Sequence, residues 1–158
     1  MASSDTLAEA VLATQRAIRE LDKRDFDELK ALRRPVEPVR MTCDALKILL
    51  EKENLVAGRD AHGMSFGSDC TILLVNWPQM TQKLIRLHLV EQGANLGRVK
   101  RLCAMRRDNA DIWNVEKLRM SSNAAAKVTA WLFAVLDFLQ AAEAEGKELK
   151  IPYDENVW

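Results

Sequence analysis

Leu29–Leu50, LKALRRPVEPVRMTCDALKILL, decides how this chain is read. A charged helix runs into it. Pro35 and Pro38 then interrupt the path, because proline lacks an amide donor and restricts the residue before it. Pro38 still suits the first turn of a new helix. In that helix Met41, Ala45, Leu46, Ile48, Leu49 and Leu50 turn inward, with Arg40, Asp44 and Lys47 left toward water. Arg40 sits at the end where the backbone dipole disfavours a cation, a hint that it serves a partner.

Upstream, Leu7, Val11, Thr14, Ile18 and Leu21 step by four, three, four and three, the spacing of one narrow heptad seam. Ala8, Ala10, Ala13 and Ala17 favour helix. The rhythm slips between Leu21 and Phe26, then Leu29 and Leu32 resume it; such a slip changes the local winding of a coiled coil. Far downstream, Val128, Leu132, Val135, Leu139 and Ala142 repeat the four-three pattern, flanked by Trp131 and Phe138. A return through a compact head makes the two seams antiparallel. The expected layout is a first stalk helix over 3–33, a helical head over 34–122 and a returning helix over 123–146. Gly146 and Pro152 end regular structure, so 147–158 is expected to be a loosely ordered tail.

Within the head, Asn54–Asp69 is the least regular stretch, broken by Gly58, Gly63 and Gly67. Cys70–Val75 has strand-like composition and equally suits a helix. The segment 54–74 therefore reads as an irregular insertion. From Trp77 the helices return. Trp77, Met80, Leu84, Leu87 and Val90 mark one face, and Leu96, Val99, Leu102, Cys103 and Met105 mark another. Asp108–Asp111 is a polar turn, and Ile112, Val115 and Leu118 open a further helix. On that helix Glu116 and Arg119 lie three apart, hence on one face.

Composition narrows the function classes. At 158 residues, nearly half of them hydrophobic, the chain fits one domain, or one domain with a helical hairpin. No uninterrupted apolar run approaches the roughly 20 residues of a membrane span, and the first residues, MASSDTLAEA, lack the pattern of a signal peptide. Cys43, Cys70 and Cys103 have no CxxC pairing and read as reduced core thiols. The zero net charge hides a segregation. Lys83, Arg86, Arg98, Lys100, Arg101, Arg106, Arg107, Lys117 and Arg119 crowd one stretch, and the acids Asp137, Glu143, Glu145, Glu148, Asp154 and Glu155 follow Phe133. Such a head attracts an acidic partner. Neutral overall charge and the lack of a recognition motif argue against nucleic acid. Phosphate-binding loops, nucleophile elbows and zinc motifs are missing, and His62 and His88 lack ligand partners at the right spacing. No enzyme activity, metal or cofactor is expected of this chain.

The segment from Leu7 to Leu50 resembles the first stalk helix and first head helix of the dynein heavy chain. The family's alanine-rich coiled coil, charged break, Leu-Lys pair, proline and apolar helix are matched by Ala8–Leu21, Asp22–Asp25, Leu29–Leu32, Pro35 and Met41–Leu50. Asn76–Trp77 looks like the tryptophan turn opening the second head helix. MSSNAAAKVTAWLFAVLDFLQAA resembles the returning stalk helix with its lead-in. The second of the family's paired prolines is Val36 here, the part between Leu87 and Asn95 is short, and Asn54–Leu74 is longer than usual. The resemblance implies an all-α fold: a compact bundle of about six short helices at the tip of an antiparallel two-helix coiled coil. It implies microtubule binding, with α/β-tubulin as partner, affinity set by stalk register, and the stalk joining the rest of a much larger AAA+ motor. Position by position it implies that Arg40, Glu116 and Arg119 face tubulin, with Lys83, Arg86 and His88 near another contact helix; Lys47, on the polar side of the Arg40 helix, joins the expected face. The expected setting is the cytoplasmic cytoskeleton or the axoneme of a cilium. A helical scaffold or adaptor that binds another protein through the same basic face is the alternative reading.

Overall fold

The computed structural model describes residues 2–32, 35–53 and 71–156, so most of the insertion read between 54 and 74 lies outside the described residues. All regular elements among the described residues are helical: α1 (Ser4–Arg19), α2 (Lys23–Ala31), α3 (Glu37–Leu49), α4 (Ile72–Val75), α5 (Gln82–Ile85), α6 (Leu96–Asp108), α7 (Val115–Ser121) and α8 (Asn123–Ala144). The all-α bundle expected from apolar spacing is the fold that forms. α5 is the centre of a continuous helical run, 77–91, whose flanks Trp77–Thr81 and Arg86–Glu91 are wound as π-helix.

Each boundary has a local cause. The slip between Leu21 and Phe26 is where one helix stops and another starts. Asp22 caps α2 by accepting the Asp25 N–H, and the Asp25 carboxylate accepts the Asp22 N–H in return. Ser3, Asn95, Asn114 and Ser122 cap α1, α6, α7 and α8 with side-chain oxygens. Pro38 occupies the first turn of α3 as its missing donor allows.

α8 is the centre of the bundle. Ala124, Ala125, Val128, Trp131, Leu132, Val135, Leu136 and Leu139 are buried around much of its circumference. α1, α2, α3, α6 and α7 all pack on it. Its direction relative to α1 shows at both ends: the Ser4 N–H at the start of α1 donates to Glu145 Oε2 just past the end of α8 at 3.0 Å, and Asn123 Nδ2 at the start of α8 donates to Asp25 Oδ1 of α2, the helix that follows α1, at 3.3 Å. The two helices are therefore antiparallel, and α6 covers α8 where Arg106 Nη1 meets Asp137 Oδ1 at 2.7 Å. The pair lies within the bundle. α8 is also long and apolar enough to cross a membrane by length and composition, with 61% of its most apolar window buried by its neighbours. Counting uninterrupted apolar residues overlooked it, because Lys127 and Asp137 interrupt the run without lowering the average much.

Three readings change. Ile72–Val75, which overlaps the end of the insertion read over 54–74 and whose composition suits strand or helix, is a buried helical turn. In the 77–91 run the buried side chains are Trp77, Thr81, Gln82, Ile85 and Leu89, and Leu87 is exposed. The π-wound flanks place more residues in each turn, so the apolar face drifts from the 3.6-residue count. The tail is tied down: Ile151 is only 4% exposed, and its N–H donates to the Leu89 carbonyl at 2.9 Å.

Candidate functional site

α3 and α7 pack against each other and carry four of the six expected contact residues. Arg40 is exposed in the first turn of α3, with no ion pair among the described residues. Seven residues on, almost two full turns, Lys47 comes round to nearly the same face. It is half-buried, lining a groove of about 350 Å³ between α3 and α6 with Asp44, Ile48, Glu53, Arg101 and Met105. On α7, Arg119 Nη1 lies 3.1 and 3.2 Å from the two carboxylate oxygens of Glu116, and both side chains are well exposed. The neighbouring Met120 is 89% exposed.

A buried polar relay sets where α7 begins relative to α3 and α8. The Trp113 indole Nε1–H donates to Thr42 Oγ1 at 2.9 Å, Thr42 and Thr129 hydroxyls meet at 2.6 Å, and Thr129 Oγ1 donates to the Ala125 carbonyl at 2.7 Å. With the Thr129 proton on the Ala125 carbonyl, Thr42 donates to Thr129; the Pro38 carbonyl, 3.3 Å from Thr42 Oγ1, is a second acceptor for the same proton. The expected helix opened with Ile112, Val115 and Leu118; α7 starts at Val115, Ile112 before it is 39% exposed, and Trp113 is the buried side chain. The signal was available: a tryptophan followed by a capping asparagine, with a threonine among the apolar residues of α3. Trp113 also packs edge-on against Phe133, centroids 4.9 Å apart.

Lys83 and Arg86 lie elsewhere, on the 77–91 run. That run approaches α3 at the far end from Arg40, where His88 Nδ1 is 3.8 Å from Glu51 Oε2. Lys83 is exposed, and Arg86 pairs with Glu155 at 3.3 Å. The six expected residues thus divide between the α3–α7 side and a separate helix.

The basic stretch is less free than its linear count suggests. Arg98 bridges Glu51, Glu53 and the Ile48 carbonyl. Arg106 pairs with Asp137 and lies over the Phe133 ring at 4.2 Å. Arg107 sits 3.6 Å from Asp108. Much of the neutralising charge comes from residues outside the stretch, which the fold brings in. Cys43 is buried in the core, and burial pushes the half-buried Cys103 thiol above its ordinary range, which leaves it a poor nucleophile. Trp77 packs edge-on against Trp131 with centroids 5.5 Å apart, and its buried Nε1 has no partner among the described residues.

The chain is similar to dynein heavy chain-like protein 1 of Plasmodium falciparum (isolate 3D7), with 26% identity over 131 residues. The match covers 82% of this chain, and the chain spans about 2% of the length of that curated relative. No family model and no solved structure matches. The likeness relates the chain to dynein-like sequences over most of its length.

Proposed function

We propose that this chain is a microtubule-binding module of the dynein heavy chain type, gripping the acidic tubulin surface with α3 and α7. One observation supports this most. Arg40, exposed and without an ion pair among the described residues, stands on a helix that packs against the one bearing the exposed Glu116–Arg119 pair. Charges of this kind at an interface rim act chiefly through encounter rate and register, and salt screens them. Lys47 extends the face along α3, while Lys83 and Arg86 would meet the track from a second helix. The antiparallel α1–α8 pair would carry the link to the rest of a motor, and its register would set affinity. The setting that follows is the cytoskeleton, cytoplasmic or axonemal.

Cosedimentation with stabilised microtubules across a salt series tests the reading, with Arg40→Glu and Arg119→Glu as variants and circular dichroism as the folding control. The expected result is salt-sensitive pelleting, weakened about tenfold or more by either variant at unchanged helicity, since reversing a contact charge adds repulsion to the lost attraction. Absence of pelleting at low salt overturns the proposal. Pelleting indifferent to both variants moves the face away from α3 and α7. A second reading, a scaffold that binds another protein, is favoured by the α3–α6 groove, which presents Asp44 and Glu53 beside Lys47 and Arg101 and so suits a peptide of mixed charge.

A further inference from the structure

After α8 the chain reverses at Gly146, whose φ of +71° is the left-handed conformation that commonly ends a helix at glycine. Residues 147–156 then run back beside α1 as an extended strap. On one side the strap holds α1. Lys147 Nζ donates to Ser4 Oγ at 2.8 Å, and the Asp154 N–H donates to Gln15 Oε1 at 3.0 Å. Gln15 Nε2 donates back to the Asp154 carbonyl at 3.3 Å, and Arg16 Nε lies 3.4 Å from Asp154 Oδ2. On the other side it holds the 77–91 run and the turn after it. The Tyr153 phenol donates to Gln82 Oε1 at 2.7 Å, Ile151 N–H to the Leu89 carbonyl, and the Ala94 N–H to the Leu149 carbonyl at 2.7 Å.

The apolar contact between α1 and α8 is non-directional and recurs along both helices, so it opposes separation better than sliding. Directional bonds and ion pairs from α1 to the rest of the molecule, among the described residues, come from Ser4, Asp5, Gln15 and Arg16, and they go to Glu145 or to the strap. Gln15 is the telling residue. It is 3% exposed between the buried Val11 and Ile18, and both ends of its amide are satisfied by the backbone of Asp154. Moving α1 by one turn would bury that amide unpaired, which opposes the shift. The strap buries one side chain fully, Ile151, with Leu149 and Tyr153 partly buried against the core; the rest of its hold is the hydrogen bonds above and ion pairs at its end that are partly open to water.

We infer that residues 147–156 form a releasable clip that fixes the axial position of α1 against α8 and ties it to the 77–91 run. This goes beyond the proposed function and holds whatever the molecule binds. Residue-resolved hydrogen exchange by NMR on the full chain tests it, comparing Gln15→Ala/Tyr153→Phe and, separately, Ile151→Ala with the parent. The expected result is at least tenfold faster exchange at Ile151 and Asp154, joined by the amides of Val11–Ile18 with shifted resonances, while Val128–Leu132 in α8 keep their protection. Strap amides that exchange fast beside an unaltered α1 would overturn the inference, as would strap amides that stay protected in both variants. General loss of protection, α8 included, would show that the strap is part of the core and would overturn the clip as well. Microtubule pelleting is read separately, so failure of one idea leaves the other standing.

Discussion

The Trp113 indole and the Thr42 and Thr129 hydroxyls form a buried hydrogen-bonded chain. Thr42→Val strands the Trp113 donor and the Thr129 oxygen in the core, so urea unfolding should show a loss of about 1–3 kcal/mol. Thr129→Val should cost less, because the Thr42 hydroxyl can turn to the Pro38 carbonyl, 3.3 Å away. The reverse order would mean that the relay runs the other way. At Asp25, the Asp22 N–H that the carboxylate accepts is the main cause holding its pKa below the ordinary aspartate value. A depressed folded pKa gives stability that is present above the unfolded value and lost as pH falls through the folded one. The amides of α2 should therefore lose hydrogen-exchange protection below about pH 4, and Asp25→Asn should flatten that response. Both sites were legible in part. Asp22 to Asp25 is a capping spacing visible in sequence, whereas a threonine 87 residues from its partner carries no local sign.

At the scale of elements, α1 and α8 followed from their four-three spacing, and the prolines placed the start of α3. The 77–91 run was found but its face was misjudged, since π-winding is a response to packing that 3.6-residue counting cannot anticipate. The strap was missed because its hydrogen bonds are long-range and its sequence, KELKIPYDEN, holds no periodic signal. Its reversal at Gly146 gives a prediction. An added Cβ meets nothing within 4 Å, so Gly146→Ala isolates the cost of a left-handed backbone. That cost should be about 1–2 kcal/mol in urea unfolding, and Gly146→Asn should recover part of it.

For the whole molecule, the chain has 23 basic and 23 acidic residues, and the fold pairs many of them across segments. Surface pairs of this kind each contribute about 0–1 kcal/mol, and a balanced charge leaves little net repulsion for salt to relieve. The melting temperature should therefore change by only a few degrees between low and high salt, while pelleting with microtubules falls steeply over the same range. A melting temperature that collapses with salt would mean that the ion pairs carry the fold.

The sequence by itself determined the helical class, the antiparallel order of the first and last helices and the break between them. Those follow from periodicity, capping residues and proline, which act within a few residues of chain. The tertiary structure alone decided which cations remain open to a partner, that Trp113 rather than Ile112 anchors α7, and that the tail returns to clip α1. Each depends on groups far apart in sequence meeting in space, where burial and pairing are settled by the whole core and not by any one stretch.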